Sequence, residues 1–268
     1  MGHPGQAIAQ QESPELVTDR PDQTESPNTV PRGYTQLETG LLYIRDEAAG
    51  VKVDVFEFPS TLVRIGLADK FELRVGWSGY IFEDIEVGGS TFEDDGPGDG
   101  ELGGKIGLWG PSLSHGSGKS GNSTGALLVS ISLPVGEDNF TSDRFDPSFR
   151  LSVGHDLADN LSLGYNLGIE WDSALDESGN DRNTGSDFIY TLVLGFGDVA
   201  SKPRLGAFVE LFGEIPASAD GTPRHSLDGG FTYLFRPSVQ FDMFGGIGLS
   251  DDAPDWFIGS GLSVRFPG

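Results

Sequence analysis

The chain has 268 residues, with 17 Lys+Arg against 41 Asp+Glu, a formal charge of −24 and no Cys. Nucleic acid is a poor partner for such a surface, because phosphates call for clustered Lys and Arg, and the missing Cys excludes disulfides, thiolate nucleophiles and Cys-ligated zinc. Four scattered histidines (His3, His115, His155, His225) form no His-rich metal site and no cofactor is expected, while 40 Gly and 18 Phe against two Met give an all-β composition.

Residues 1–32 carry no periodic apolar pattern and hold Pro4, Pro14, Pro21, Pro27 and Pro31, so they read as an extended leader. Within it Ala7-Ile8-Ala9, followed by Gln10-Gln11, has the small-x-small form of a signal-peptidase site, without the charged and apolar regions that precede one. From Gly33 to Gly268 one theme repeats: an alternating segment of about 10–12 residues, then a turn. The first two copies cover about 34–44 and 55–66. In 71–81, Phe71, Leu73, Val75 and Trp77 oppose Glu72, Arg74, Gly76 and Ser78. Less regular copies follow at 102–110, 125–135 and 147–155. The clearest is 161–171, where Leu161, Leu163, Tyr165, Leu167, Ile169 and Trp171 alternate with Ser162, Gly164, Asn166, Gly168 and Glu170. Further copies at 187–197, 204–213, 227–235 and 238–249 lead to 256–266, where Trp256, Ile258, Leu262, Val264 and Phe266 oppose Gly259, Gly261, Ser263 and Arg265. Period two is the mark of a strand with two unlike faces. About twelve such strands predict an up-and-down antiparallel β-barrel.

Three features turn the apolar face toward lipid. The polar face is rich in Gly, Ser and Asn, with few charges. Twelve strands enclose more space than side chains fill, roughly eight being the packed limit. Aromatics mark both rims of the apolar face, with Tyr43, Trp171, Phe188 and Trp256 at one end and Phe71, Phe196, Phe235 and Phe266 at the other. No run approaches the roughly 20 apolar residues of a transmembrane helix, which leaves a spanning barrel open. Connections divide into short turns (67–70, 157–160, 198–203, 236–237) and longer acidic loops (83–101 and 172–187), the asymmetry of periplasmic and extracellular ends. The 110–124 link, with Lys119, departs from it by being long on the short-turn side.

The run Thr18-Asp-Arg-Pro-Asp-Gln-Thr-Glu-Ser-Pro27, then Val30-Pro-Arg-Gly33, Gln36-Leu-Glu38 and Gly40, resembles the opening of the outer-membrane transporters labelled meta-pathway phenol degradation (MetA-like). The hairpin Leu62–Trp77 is similar to that family's arginine–turn–Glu-x-Arg hairpin, and the resemblance spans 18–266. It implies a Gram-negative outer-membrane barrel with a transport role. Outer-membrane lipid, a small solute and the barrel-assembly machinery, docking on the C-terminal strand, are its expected partners. The terminal aromatic, Phe266, is here followed by Pro267-Gly268.

Parity then gives the inward residues. Charged members are Glu38, Arg64, Glu72, Arg74, Lys105, Arg150, Glu170, Glu210, Asp228, Asp242 and Arg265. Arg64, Glu72 and Arg74 share one hairpin, as a brace of the wall or as a selectivity constriction. Tyr80, Trp109, Phe208, Phe212, Phe244 and Phe257 also fall inward, to stack with aromatic or apolar solutes or to pack on an inward-folded loop or the leader itself. Asp94, Asp95 and Asp99, and Asp176 and Asp181, are loop carboxylates; solvation is their plain role and hard-cation binding the sharper one, without EF-hand spacing. The expected function is passive passage of small, aromatic or apolar solutes through a non-enzymatic barrel. A receptor or structural barrel is the alternative. An outer-membrane lipid hydrolase is a third, with only His155 and His225 (beside Ser226) as wall candidates for its base.

Overall fold

A computed structural model describes residues 16–110, 121–175, 182–218 and 221–268. The tripeptide at 7–9, His3, His115, Lys119, Asp176 and Asp181 lie outside the described residues. Fourteen antiparallel strand segments follow: β1 (Tyr34–Ala48), β2 (Val51–Ala68), β3 (Phe71–Trp77), β4 (Tyr80–Val87), β5 (Ser90–Pro97), β6 (Gly100–Trp109), β7 (Ser123–Leu133), β8 (Pro147–Ala158), β9 (Leu161–Leu175), β10 (Arg182–Phe196), β11 (Leu205–Pro216), β12 (Arg224–Arg236), β13 (Val239–Gly248) and β14 (Trp256–Pro267). β3 and β6 pair below the Ser78-Gly79 and Gly98-Asp99 breaks, and β4 and β5 pair above them, so each couple forms one wall strand. The wall therefore has the twelve strands that the alternation predicts, and pairing of β1 with β14, from Tyr34↔Pro267 to Arg45↔Trp256, closes it.

Residues 83–101, expected as an acidic loop, are instead a hairpin. Ile81, Ile85 and Val87 supply β-favouring side chains between the acids, and Gly88-Gly89 turns the chain with both φ values positive (59° and 82°). That is the backbone a two-residue type I′ hairpin needs. Asp172–Asp187 likewise extends β9 and β10 rather than forming a loop throughout. On the outer side of the β4 hairpin Tyr80 stacks on Phe82 (5.0 Å) and donates to Asp95 (2.5 Å), so Tyr80 belongs to this extension and not to the lumen.

The barrel is inverted relative to a soluble protein. Its largest fully buried side chains are Arg64, Lys105, Gln36, Glu38, Glu72 and Glu210, while Leu167, Ile169, Ile258 and Phe266 are between 44% and 48% exposed. Water cannot drive that arrangement; lipid outside and polar groups inside can. A charge introduced on the outer face, Leu167→Arg or Ile258→Arg, is expected to lower stability by about 2–4 kcal/mol. Denaturant titration of the protein folded into vesicles checks this, with Ser162→Arg, on the opposite face of β9, as the control that changes it less.

Candidate functional site

Residues 16–32, which precede β1, run inside the barrel as a segment that the wall is shaped to receive. Gly40 and Gly261 are register partners on β1 and β14, and the guanidinium of Arg20 lies against both. A Cβ at either position would collide with it. Side chains thus give way where the segment passes.

Asp19 is the centre of the contact. Its carboxylate accepts from Lys105 Nζ (2.9 and 2.8 Å) and from Arg74, and lies 3.1 Å from Arg64 Nη1. Each cation is shared in turn with other acids. Arg64 grips Glu72 with two nitrogens (2.9 and 3.0 Å) and reaches Glu38 (2.9 Å), while Arg74 donates twice to Glu25 (2.7 and 2.9 Å). The wall acids also serve the segment's backbone: Glu38 accepts the Asp19 and Arg20 amides (both 3.0 Å) and Glu72 the Val30 amide (2.6 Å). Hydrogen bonds between ionised partners are the strong ones, and here burial keeps water from competing.

Around the remaining wall the contacts change character. Arg20 pairs with Asp242 (3.2 Å) and sits 5.8 Å over the Phe244 ring. Gln23 N donates to Glu210 (2.7 Å), and the Thr24 hydroxyl meets Glu210 (2.5 Å) and Thr191 (2.6 Å). Glu25 N donates to Asn166 (2.7 Å), and the Glu25 carbonyl accepts from Ser152 (2.5 Å) and Asn166 (3.0 Å).

The family pattern described as "Putative MetA-pathway of phenol degradation" matches residues 18–266. The chain belongs to this family. No curated protein matches it by sequence. Among solved structures it is similar to the COG4313 outer membrane channel from Pseudomonas putida F1, at TM-score 0.63 and 14% identity, over 89% of this chain and 97% of that one. It is also similar to the translocator domain of the autotransporter NalP from Neisseria meningitidis (0.53, 12%, 88% and 90%) and to the NanC porin (0.50, 8%, 87% and 100%). At these identities the likeness is one of fold: an outer-membrane-type barrel.

In this family member the remaining parity residues fall as follows. Glu38, Arg64, Glu72, Arg74, Lys105, Glu210, Asp228, Asp242 and Arg265 are all buried. Arg265 lies 5.6 Å from the Tyr34 ring. Arg150 and Glu170 pair at 3.5 Å and are only part-buried, bordering a small space with Glu25 and Arg74. Phe212, Phe244 and Phe257 meet one another through Phe257, at 6.0 and 6.4 Å. Phe208 packs over Gly230. Trp109 lies beyond a bulge in the β6–β7 register, is 42% exposed and donates to the Ser123 hydroxyl (3.1 Å). Asp94 accepts from Asn139, and Asp95 from Tyr80. Asp99 binds the amides of Gly136 (3.0 Å) and Ser142 (2.9 Å); burial works against its ionisation, but these bonds win and hold its carboxyl below the usual range. Among the described residues no three His, Cys, Asp or Glu side chains are grouped to hold a metal ion.

Three of the spaces inside the barrel are large, and the segment borders the second and third. An acidic one of about 520 Å³ on the long-loop side includes Asp99, Glu101, Asp146 and Asp172. A second, of about 370 Å³, lies between β1, β11, β12 and β14 and is faced by Leu42, Ile44, Phe212, Phe257 and Pro254, with Gln23 on its floor. The third, about 320 Å³, opens at the short turns and is bordered by Thr24, Ser26, His155 and Asp156. Gln23 borders the second and Asp22, Thr24 and Ser26 the third, so residues 22–26 lie between these two. Asp19→Ala removes the acid that three cations share, and breaking a buried pair of this kind costs about 3–5 kcal/mol. Hydrogen exchange of the Asp19, Arg20 and Val30 amides is expected to accelerate at least about a hundredfold, each tenfold corresponding to about 1.4 kcal/mol. The strand amides of β9 and β10 should keep their protection.

Proposed function

We propose that the chain is a Gram-negative outer-membrane channel through which small, aromatic or apolar solutes pass passively, with residues 16–32 as its internal gate. The cleft of Phe212, Phe257, Leu42, Ile44 and Pro254 carries the reading: it is an apolar recess with two Phe rings, edged by Glu214, Arg224 and Asp252, in a barrel whose largest buried side chains are polar or charged. Ligand sites combine such apolar walls with a few placed polar groups. A solute leaving it for the short-turn side would pass residues 22–26, whose fastening to Ser152, Asn166, Thr191 and Glu210 is by hydrogen bonds. The inward charges Glu38, Arg64, Glu72, Arg74, Lys105, Arg150, Glu170, Glu210, Asp228, Asp242 and Arg265 line or brace that passage.

The fold shared with an outer membrane channel and a porin supports this assignment. The short turns then face the periplasm and the acidic hairpin and loops the exterior, where their carboxylates keep them solvated. The wall contacts lipid, and the C-terminal strand ending at Phe266 is the element offered to the assembly machinery. The histidines favour a channel over a hydrolase: His155 meets the Tyr165 hydroxyl (3.5 Å) and His225 Nδ1 the Tyr190 hydroxyl (2.8 Å), neither of them a serine.

Planar-bilayer conductance with benzyl alcohol as the solute tests the proposal. Discrete steps that the solute reduces are expected, with the block weakened about tenfold in Phe257→Ala, since deleting a buried aromatic side chain costs more than the 1.4 kcal/mol this represents. Folded, heat-modifiable protein that stays silent both as wild type and as Asp19→Ala would favour a sealed structural or receptor barrel.

A further inference from the structure

Below the aromatic cleft, behind Gln23, lies a pair of acids that the segment does not neutralise. The β11–β12 register pairs Phe212 with Ser226, both lining the cleft, and one step deeper pairs Glu210 with Asp228. Asp228 is 4% exposed, no donor reaches either of its carboxylate oxygens, and the polar group that faces it is the Glu210 carboxyl. Glu210 has the Gln23 amide and the Thr24 hydroxyl, and the segment adds a further acid, Asp22, to the same region. The cations around the cleft are engaged elsewhere, Arg20 with Asp242 and Phe244, and Arg224 with Glu214 and Asp187. Among the described residues no ion pair reaches Glu210 or Asp228.

Asp228 also adjoins the cleft wall. A Cβ placed on Gly246 would collide with Phe257 Cζ and come 2.6 Å from Asp228 Cβ, so ring tip and acid occupy one niche. A buried carboxylate that no donor reaches, beside aromatic faces, is the complement of a cation with an apolar body: the charge meets the acid, and the body meets the rings. A metal ion is the poorer complement, since no set of three ligands is grouped there among the described residues.

We propose that this pair of acids and the cleft above it form a recognition site for an organic ammonium carrying an aromatic or apolar body, its N–H groups donating to Asp228 and its body lying in the cleft against Phe212 and Phe257. Reaching Asp228 moves the exposed Gln23 aside, so occupancy loosens the part of the segment fastened to Glu210. The inference rests on the reading of the cleft as a solute site and adds the chemistry that it selects.

Calorimetric titration of the purified, detergent-solubilised protein with benzylammonium and with its neutral counterpart benzyl alcohol tests it. Benzylammonium is expected to bind at least about tenfold more tightly, the size of one charge-assisted hydrogen bond. In Asp228→Asn that preference disappears while benzyl alcohol affinity stays within about twofold. Asp252→Asn, at the rim, keeps the preference. Equal affinities in the wild type overturn the proposal, and mean that a proton shared between Glu210 and Asp228 balances the pair instead. A preference that survives in folded Asp228→Asn overturns it as well. If neither compound binds, the aromatic-solute reading of the cleft fails with it, whereas benzyl alcohol binding without an ammonium preference sinks this inference alone.

Discussion

A carboxylate shared by three cations, Asp19 with Arg64, Arg74 and Lys105, is the interaction on which the interior depends. Irregular backbone at membrane depth survives only where protein or water satisfies its polar groups. The N-terminal segment has no strand or helix to do this, so wall side chains take over. Glu38, Glu72, Glu210 and Asn166 accept its amides, and Ser152, Gln36 and Arg64 donate to its carbonyls. Segment and wall are therefore one polar network, and the inward residues of β1, β2, β3 and β6 could not be buried as they are if the segment were absent.

Two halves of that network follow different rules. Toward β2, β3 and β6 the contacts are multiple, charged and close to balanced, because cations of the wall answer acids of the segment. Toward β11 and β12 the wall offers acids to a segment that brings another acid, and the segment's guanidinium, Arg20, goes to Asp242 on β13 instead. The aromatic cleft lies on this second side. A barrel of twelve strands has room to spare, and space remains on both sides, a polar one beside Arg20, Glu38 and Arg74 and the aromatic cleft opposite.

The barrel was legible in the sequence because membrane strands obey a local rule: alternate residues meet lipid, and Leu161–Trp171 displays the alternation over its whole length. The hairpin at 80–97 was missed because acidic content was weighed above the Gly88-Gly89 turn signal, and the break at Ser78-Gly79 changes the face on which Tyr80 falls. Parity also has a limit at Trp109, past a bulge. The segment's role stayed open between a leader and a plug, because Asp19 and Glu25 look like solvated charges in a proline-rich stretch. Their partners are remote in the chain: Glu25 meets Arg74 49 residues on and Ser152 127 residues on, and Asp19 meets Lys105 at a separation of 86. The inward list of the wall, six acids against five cations, is close to balanced and carries no sign of the segment on its own.

The unequal fastening bears on how a passage could open. Neutral hydrogen bonds contribute about 1 kcal/mol each, and those to charged groups about twice that. The Glu25 backbone on Ser152 and Asn166, and Thr24 on Thr191, are of the weaker kind; Asp19 on its three cations is of the stronger. A disturbance that reaches the segment from the cleft meets Gln23 and Thr24 on the Glu210 carboxylate first, and then the neutral bonds at Thr191, Ser152 and Asn166. The Glu25 carboxylate on Arg74 and the Ser26 carbonyl on Lys105 tie the far end of residues 22–26 into the ion cluster as well. In the gate proposed above, residues 22–24 are the part that moves and the ion cluster at Asp19 and Glu25 the part that stays.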